Sequence, residues 1–255
     1  MSPDDGALAR RVAAAAGDLL LEIRAALGRG ADPGEVRREG DRRSHELILA
    51  LLAEHRPGDA VVSEEGADPD APPSSSRVWI VDPLDGTREF GEEGRTDFAV
   101  HVALVEDGAL AAGAVALPAR AGSPTYATDD VPAVAPRADG AVRVAASRTR
   151  PAAEAAVLAS ELGAELVPIG SAGAKIIAVL EGDVDVYVHS GGQYVWDSAA
   201  PVAVASAAGL HASRLDGSPL DYGGVSTWLP DLLVCRSELR DPVSAVLRSA
   251  AVRLR

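Results

Sequence analysis

The sequence centres on one nine-residue stretch, Trp79-Ile80-Val81-Asp82-Pro83-Leu84-Asp85-Gly86-Thr87. Its apolar beginning predicts a short buried strand, and two aspartates follow that strand at an interval of three residues. Pro83 fixes its own φ angle and favours an extended conformation at Asp82, so the chain bends where the two carboxylates converge. Carboxylate oxygens are the ligands that Mg²⁺ prefers in proteins, and the stretch therefore indicates a metal site.

The end of the same stretch offers a place for an anion. Gly86 and Thr87 are predicted to open a helix, whose free N–H groups favour a phosphate oxygen. A simpler interpretation also exists, because Asp-Pro-x-Asp-Gly is good turn chemistry and Asp85 suits the N-cap of a helix. Taken alone, the stretch leaves both interpretations open.

Composition narrows the class of protein. With 255 residues, of which 47% are hydrophobic and 24% charged, the chain is predicted to be globular. The net charge of −14 argues against nucleic acid or an anionic membrane as the main partner, whereas a bound cation still allows a small anionic ligand. No apolar run predicts a membrane span. A lone cysteine, Cys235, excludes an intrachain disulfide and favours a cytoplasmic location, and a homodimer remains open.

Hydrophobic periodicity predicts alternating helices and strands, which indicates a layered α/β or α+β fold. The first half is predicted to hold helices at 6–27 and 44–55, strands at 60–63 and 78–81, and a β-meander over 97–127. The second half is predicted to hold strands at 142–146, 165–169, 184–188 and 232–235 and helices at 152–162, 172–180, 197–208 and 243–254. A polar segment at 28–40 is predicted to be a mobile loop over the site, and 131–140 a linker.

Further carboxylates extend the candidate metal site. Glu64 and Glu65 follow one predicted strand, and Asp82 follows the next. If these strands are neighbours, the carboxylates meet at one sheet edge, where their repulsion calls for a cation or a raised pKa. Asp197 opens a predicted helix, where an aspartate also serves as an ordinary N-cap. Each acid taken singly is equally consistent with a solvated surface residue.

The Asp-Pro-x-Asp-Gly-Thr motif at 82–87 resembles a signature of the inositol monophosphatase family, which comprises Mg²⁺-dependent, lithium-sensitive phosphatases. Trp196-Asp197 followed by Ala199-Ala200 resembles the second signature of that family. Further matches occur in the family's order at 63–65, 170–172, 182–187 and 215–220. The sequence Glu39-Gly40-Asp41-Arg42 departs from the pattern Thr-x-Ala-Asp of many relatives.

The resemblance implies a layered α-β-α-β-α sandwich, as in inositol monophosphatases and fructose-1,6-bisphosphatases. It implies a single phosphatase domain over 1–255, with an N-terminal α+β half at about 1–138 that carries the metal site. The C-terminal α/β half, at about 139–255, would then supply the substrate side and Asp197. Gly40-Asp41-Arg42 and the motifs at 85–90 and 170–175 are closest to the CysQ-type 3'(2'),5'-bisphosphate nucleotidases.

The resemblance also assigns roles to residues. It implies that two or three Mg²⁺ ions are held by Glu64, Asp82, the Leu84 carbonyl, Asp85 and Asp197. Asp41 paired with Thr87 would orient and deprotonate the attacking water, and Glu65 would help to position it. The N–H groups of Gly86 and Thr87 would hold the phosphoryl oxygens.

The implied substrate is a small phosphate ester, most closely adenosine 3',5'-bisphosphate, which would lose its 3'-phosphate. Inositol monophosphatase and fructose-1,6-bisphosphatase activity are the alternatives, and a binding protein without turnover is a further one. A bisphosphate requires a second anion site away from the metals. Ser171 and Lys175, at the start of one predicted helix, are the predicted site, with Arg148 as a further candidate.

Overall fold

The computed structural model describes residues 3–66, 75–134, 137, 139–224 and 226–253. The helices are α1 (Pro3–Arg24), α2 (Pro33–His55), α3 (Thr87–Phe90), α4 (Ala153–Leu162), α5 (Ala172–Glu181), α6 (Val195–Ala207) and α7 (Arg240–Arg253). The strands are β1 (Ala60–Ser63), β2 (Arg77–Asp85), β3 (Ala99–Glu106), β4 (Ala109–Ala116), β5 (Thr125–Ala127), β6 (Arg143–Ser147), β7 (Glu165–Ile169), β8 (Val186–Tyr194), β9 (His211–Ser213) and β10 (Trp228–Cys235).

The strands form two five-stranded sheets. The first has the order β1-β2-β3-β4-β5, in which β1 and β2 are parallel and the later pairs are antiparallel. The register pairs Ser63 with Val81, so the carboxyl ends of β1 and β2 lie at the same edge. The second sheet has the order β7-β6-β8-β10-β9, with parallel pairing on both sides of β6 and antiparallel pairing of β10.

Five layers enclose three apolar cores. Helices α1 and α2 pack on one face of the first sheet through residues such as Leu20, Ile48 and Val81. Helices α5 and α6 fill the space between the two sheets. Helices α4 and α7 cover the outer face of the second sheet, with Leu158 and Leu247 in the core. The predicted α-β-α-β-α sandwich is therefore confirmed.

The position of α5 in the middle layer explains why this helix is buried on all sides. A helix that contacts sheets on both faces has no solvated side, and the residues from Gly173 to Leu180 are all buried. Helix α6 approaches the first sheet at Gly113, where a Cβ atom would lie 2.7 Å from the Cβ of Ala203. Small residues at this crossing let the helix backbone lie directly on the strand.

The predicted loop at 28–40 is wrong for most of its length, because α2 begins at Pro33. Asp32 caps the helix by accepting a hydrogen bond from the N–H of Glu35, and proline at the first helical position is favourable. Gly40, which the sequence analysis placed in the loop, lies inside the helix. A Cβ atom there would lie 2.7 Å from the Phe90 ring, so glycine serves a close contact rather than a turn.

Several predicted boundaries also move. Strand β2 continues through both aspartates, and its register with β3 shifts between Asp82 and Asp85. The predicted helix after Gly86 is the single turn α3. Strand β9, which the sequence analysis missed, forms an edge of the second sheet beyond β10. Of the predicted linker at 131–140, residues 135, 136 and 138 lie outside the described residues, and the division into two halves stays a prediction.

Within the described part of the chain, no helix combines the length and the apolar character that crossing a membrane requires.

A buried ion pair ties α1 to the first sheet. Asp5 is fully buried, and its Oδ1 accepts hydrogen bonds from Arg56 at 3.0 and 2.8 Å and from Arg77 at 3.1 Å. Burial opposes ionisation of Asp5, but the two arginines outweigh it and hold the pKa of this carboxyl below its usual value. The pair therefore stabilises the fold at neutral pH.

We expect Asp5→Asn to lower the free energy of unfolding by about 2–3 kcal/mol at pH 7, because it removes charged hydrogen bonds from a buried group. Since the folded-state pKa is depressed, this contribution is present above a pH of about 4 and declines as the pH falls through the folded-state value. Urea unfolding at several pH values measures it. Asp18→Asn, on an exposed part of α1, is the control, and equal effects of the two variants would contradict the role of Asp5.

Candidate active site

Parallel pairing of β1 and β2 brings the first two candidate ligands together. The N–H of Glu64 donates to the Val81 carbonyl at 3.3 Å, which places Glu64 beside Asp82. The N–H of Leu84 donates to Oδ1 of Asp82 at 3.0 Å. The neighbouring carboxyl group of Glu64 contributes to the raised pKa of Asp82. Asp82 is almost fully buried, whereas Glu64 is an exposed residue.

The turn after Asp82 is fixed from several sides. The hydroxyl of Ser44 on α2 donates to the Pro83 carbonyl at 2.7 Å. Gly86 has a φ angle of 87°, and a Cβ atom there would lie 3.1 Å from the Cβ of Ser171, so both conformation and space require glycine. Because α3 is only one turn long, the predicted phosphate cradle has a much weaker helix dipole than a long helix would provide.

Asp85 is held by the start of α5 and by His101 on β3. Its Oδ2 accepts a hydrogen bond from the Ser171 hydroxyl at 2.5 Å and another from the Gly173 N–H at 2.7 Å. Nε2 of the buried His101 lies 3.3 Å from the same oxygen. A Cβ atom at position 173 would come within 2.1 Å of that nitrogen, so the absence of a side chain at Gly173 makes the arrangement possible.

Asp197 lies at the third position of α6 rather than at its N-cap. Its Oδ2 accepts a hydrogen bond from the N–H of Tyr194 at 2.6 Å. Nδ1 of His101 lies 3.1 Å from the carbonyl of the preceding residue, Trp196. His101 on β3 therefore contacts both Asp85 and the first turn of α6, which carries Asp197.

The four carboxyl groups influence one another's ionisation. Burial and then the charge of Glu64 raise the pKa of Asp82 well above its usual value. Desolvation raises the pKa of Glu64 to about 7 and that of Asp197 to about 6, and the charge of Asp85 acts in the same direction on both. Burial would also raise the pKa of Asp85, but its contacts with His101, Ser171 and Gly173 outweigh burial and lower it.

The predicted catalytic pair is also adjacent. Oγ1 of Thr87 lies 3.0 Å from the Leu84 carbonyl and 3.4 Å from Oδ1 of Asp41, so its single proton has two candidate acceptors. Desolvation and then the charge of Glu65 raise the pKa of Asp41 to about 7. Glu65 itself is exposed beside β1. The structure therefore brings these residues together, while their roles stay predictions.

The residues of the predicted second anion site are engaged in contacts within the protein, although Ser171 and Lys175 line a cavity beside the carboxylates, and the site stays a prediction. Lys175 is buried, and its Nζ donates to the carbonyls of Ile169, Gly170 and Ser171 at 3.4, 3.0 and 2.6 Å. These acceptors occupy all of its donors. Ser171 is bound to Asp85, beside the carboxylate cluster instead of away from it. Arg148 donates to Glu89 at 2.7 Å and to Glu92 at 3.0 Å and is likewise engaged.

One cavity connects the cluster to the second sheet. It has a volume of about 480 Å³, within the range of small-molecule sites, and its lining includes Asp85, Asp197, Arg150, Tyr194 and Trp228. Sequence analysis missed the last three and His101. The only sequence feature that could have indicated His101 as a site residue is its place in the alternating stretch Ala99-Val100-His101-Val102. That pattern is equally typical of a histidine in the core.

The donor set suits a divalent cation. Across the described residues, no three His, Cys, Asp or Glu side chains converge closely enough to enclose an ion as they stand. The donors that do gather are carboxylates and the Leu84 carbonyl, which are the hard oxygen ligands of Mg²⁺. Asp82, Glu64 and Asp197 have raised pKa values, and a cation among them would relieve the repulsion that causes part of this shift.

Comparison with known proteins identifies the class of this fold and site. The family model of the inositol monophosphatase family matches residues 7–230. The sequence is 49% identical over 255 residues to the 3'-phosphoadenosine 5'-phosphate phosphatase of Mycobacterium leprae, covering 96% of this chain and 93% of that protein. It is 34% identical over 196 residues to the 3'(2'),5'-bisphosphate nucleotidase CysQ of Escherichia coli K12, covering 71% and 77%. The crystal structure of CysQ from Bacteroides thetaiotaomicron has a TM-score of 0.76 at 27% identity and covers 92% and 98%.

The chain belongs to the inositol monophosphatase family. The predictions of that family and of a phosphoric monoester hydrolase are confirmed. Members of the family are generally metal-dependent.

Because Lys175 bonds to three carbonyls, we expect Lys175→Met to lower the free energy of unfolding by about 2–4 kcal/mol, since it leaves buried acceptors unpaired. Urea unfolding measures the change, and Arg248→Met on the exposed side of α7 is the control. Loss of turnover should be similar on mono- and bisphosphate substrates. If the variant is stable and loses turnover only of the bisphosphate, the result would support the second anion site that the sequence predicts at Lys175.

Proposed function

We propose that this protein is a Mg²⁺-dependent phosphatase that removes the 3'-phosphate of adenosine 3',5'-bisphosphate and leaves AMP. One observation carries the proposal: the buried Asp82 and Asp85 of the first sheet and Asp197 of the middle layer gather beside a cavity of about 480 Å³. Repulsion within a cluster of acids is relieved by a bound cation or by protonation, and such clusters are typical of functional sites. The names of the relatives from Mycobacterium and Escherichia coli support the same substrate class.

The metal ligands in this proposal are Glu64, Asp82, the Leu84 carbonyl, Asp85 and Asp197. When bound there, two or three Mg²⁺ ions supply Lewis acidity that favours attack of water on the phosphorus. Ser171 and Gly173 hold Oδ2 of Asp85, which leaves Oδ1 as the oxygen available to a cation. The Leu84 carbonyl accepts the Thr87 hydroxyl at 3.0 Å, so ligation at this oxygen favours the alternative contact with Asp41.

Asp41 is the proposed proton acceptor, and Thr87 is proposed to orient the attacking water together with it. A carboxyl group with a pKa of about 7 is matched to receiving a proton at neutral pH. Thr87 places its hydroxyl between this carboxyl and the 82–86 turn, where the attacking water would be oriented. Glu65 lies close enough to raise the pKa of Asp41 and so increases the basicity of the pair. Gly86 and Thr87 contribute backbone N–H groups for the phosphoryl oxygens.

Arg150 replaces Lys175 as the proposed contact of the second phosphate. It is exposed and lines the same cavity, and its side chain makes no hydrogen bond or ion pair within the described part of the chain. A guanidinium group binds a phosphate through two parallel N–H donors. The backbone N–H of Arg150 donates to the Ser147 hydroxyl at 3.2 Å, which fixes the start of its side chain.

We expect Asp82→Asn to reduce phosphate release from adenosine 3',5'-bisphosphate by at least about a thousandfold, because one ligand charge is lost at the reacting centre. The same variant should lose the rise in melting temperature that Mg²⁺ gives the wild type, where ligand at 100 times its dissociation constant stabilises by about 2.7 kcal/mol. Calorimetry in chelator and in Mg²⁺ measures this shift. Asp18→Asn is the control, and near-native activity of Asp82→Asn would refute the assignment.

Arg150→Ala should lower kcat/KM for adenosine 3',5'-bisphosphate about ten- to hundredfold, the range of a charged hydrogen bond, and should change that for 3'-AMP far less. A phosphate-release assay on both substrates, with inositol 1-phosphate and fructose 1,6-bisphosphate alongside, makes the comparison. The matched control is Arg11→Ala, which removes an exposed arginine of α1. Equal losses on the bisphosphate and the monophosphate would argue against a second phosphate site at Arg150.

A further inference from the structure

Two exposed aromatic side chains stand at the rim of the cavity. Among the described residues, the large hydrophobic side chains with high exposure are Leu166, Tyr194 and Trp228, at 44%, 37% and 47%. Both aromatic members line the cavity that also contains Asp85 and Asp197. Aromatic residues make up only 4% of the chain, so this concentration of open ring surface beside the carboxylates is unusual for the molecule.

Strand pairing and neighbouring side chains fix the positions of the Tyr194 and Trp228 rings. Trp228 on β10 pairs directly with Tyr194 on β8, and their ring centroids lie 5.4 Å apart at 79°. A Cβ atom at Gly192 would lie 1.6 Å from the Trp228 ring, so one side of the indole rests on the glycine backbone. Tyr194 in turn stacks on Trp196 at 4.6 Å and 12°. The open surface of the indole is therefore the side turned away from Gly192.

The rings are also close in the chain to the proposed reacting centre. The N–H of Tyr194 donates directly to the Asp197 carboxylate at 2.6 Å. Asp85, Asp197, Tyr194 and Trp228 line the same cavity, so a ligand with its phosphate at the two aspartates would have Tyr194 and Trp228 within the same space. Because the two rings are nearly perpendicular, a planar ring of the ligand would stack on the face of one ring and meet the other at an angle, and both contacts are favourable aromatic geometries.

We propose that Tyr194 and Trp228 form a stacking platform for the nucleobase of the substrate, so that this site selects nucleotides over inositol and sugar phosphates. The inference rests on the proposed phosphatase function and adds the determinant of its substrate class. Stacking requires a π face and no particular hydrogen-bond pattern, so the platform accepts adenine through shape and polarisability. A ribose bisphosphate without a base lacks the group that the platform binds.

Steady-state kinetics on matched substrates tests the platform. Trp228→Leu should lower kcat/KM for adenosine 3',5'-bisphosphate about ten- to hundredfold, the range for loss of one stacked base, and Trp228→Phe should retain most of it. For ribose 3,5-bisphosphate, Trp228→Leu should change kcat/KM much less. Leu166→Ala, which removes an exposed apolar side chain outside the cavity, is the control and should leave both substrates unaffected.

A binding measurement that needs no turnover accompanies the kinetics. Trp79 and Trp196 are buried, so quenching of tryptophan fluorescence by AMP should come from Trp228 and should disappear in Trp228→Leu. Equal losses on both substrates, or unchanged kinetics on the nucleotide, would overturn the platform. If the wild type hydrolyses neither substrate, the proposed phosphatase function fails, and the AMP titration alone decides whether the platform binds a base.

Discussion

The site depends on one hydrogen-bonded carboxylate. Asp85 ends β2 in the first sheet, yet its Oδ2 is held by Ser171 and Gly173, at the start of a helix that leads into the second sheet. His101 and then these two donors lower the pKa of Asp85, although burial acts against ionisation. The contact therefore fixes a negative charge and joins the two sheets at the same point. Ser171 adopts a positive φ angle of 42°, a strained conformation that this network maintains.

Burial raises the pKa values of the neighbouring carboxyl groups, and the charge of Asp85 adds to this effect. Asp82 and Asp197 have raised pKa values, and the charge of Asp85 contributes to both shifts. One carboxylate thus stays ionised while adjacent ones retain protons more readily. Ionising the whole cluster requires positive charge from outside the cluster, since like charges at close range oppose each other. A cation bound among these carboxylates would therefore release protons from them, as expected for carboxylate ligands.

Sequence patterns predicted what depends on strand order and missed what depends on contacts across the molecule. The ends of two neighbouring strands were enough to bring Glu64 and Asp82 together, because parallel pairing fixes that edge. Gly40 was misassigned because a helical glycine that admits the Phe90 ring looks the same in sequence as a loop glycine. His101 was missed because an alternating strand gives no sign that a helix turn will face it. Tyr194 and Trp228 come from strands far apart in the chain, so no local pattern shows their pairing.

Lys175 shows most clearly how tertiary contacts change the role that the sequence alone suggests for a residue. As the only lysine of a chain with net charge −14, it was assigned to a phosphate, but three carbonyls of residues 169–171 surround its nitrogen. Three acceptors require three N–H donors, so the ammonium form fits this pocket even though burial lowers the pKa of Lys175. Its charge also lowers the pKa of Asp197. Lys175 therefore stabilises the loop of residues 169–171, whose Ser171 holds Asp85, and adds positive potential near the carboxylates.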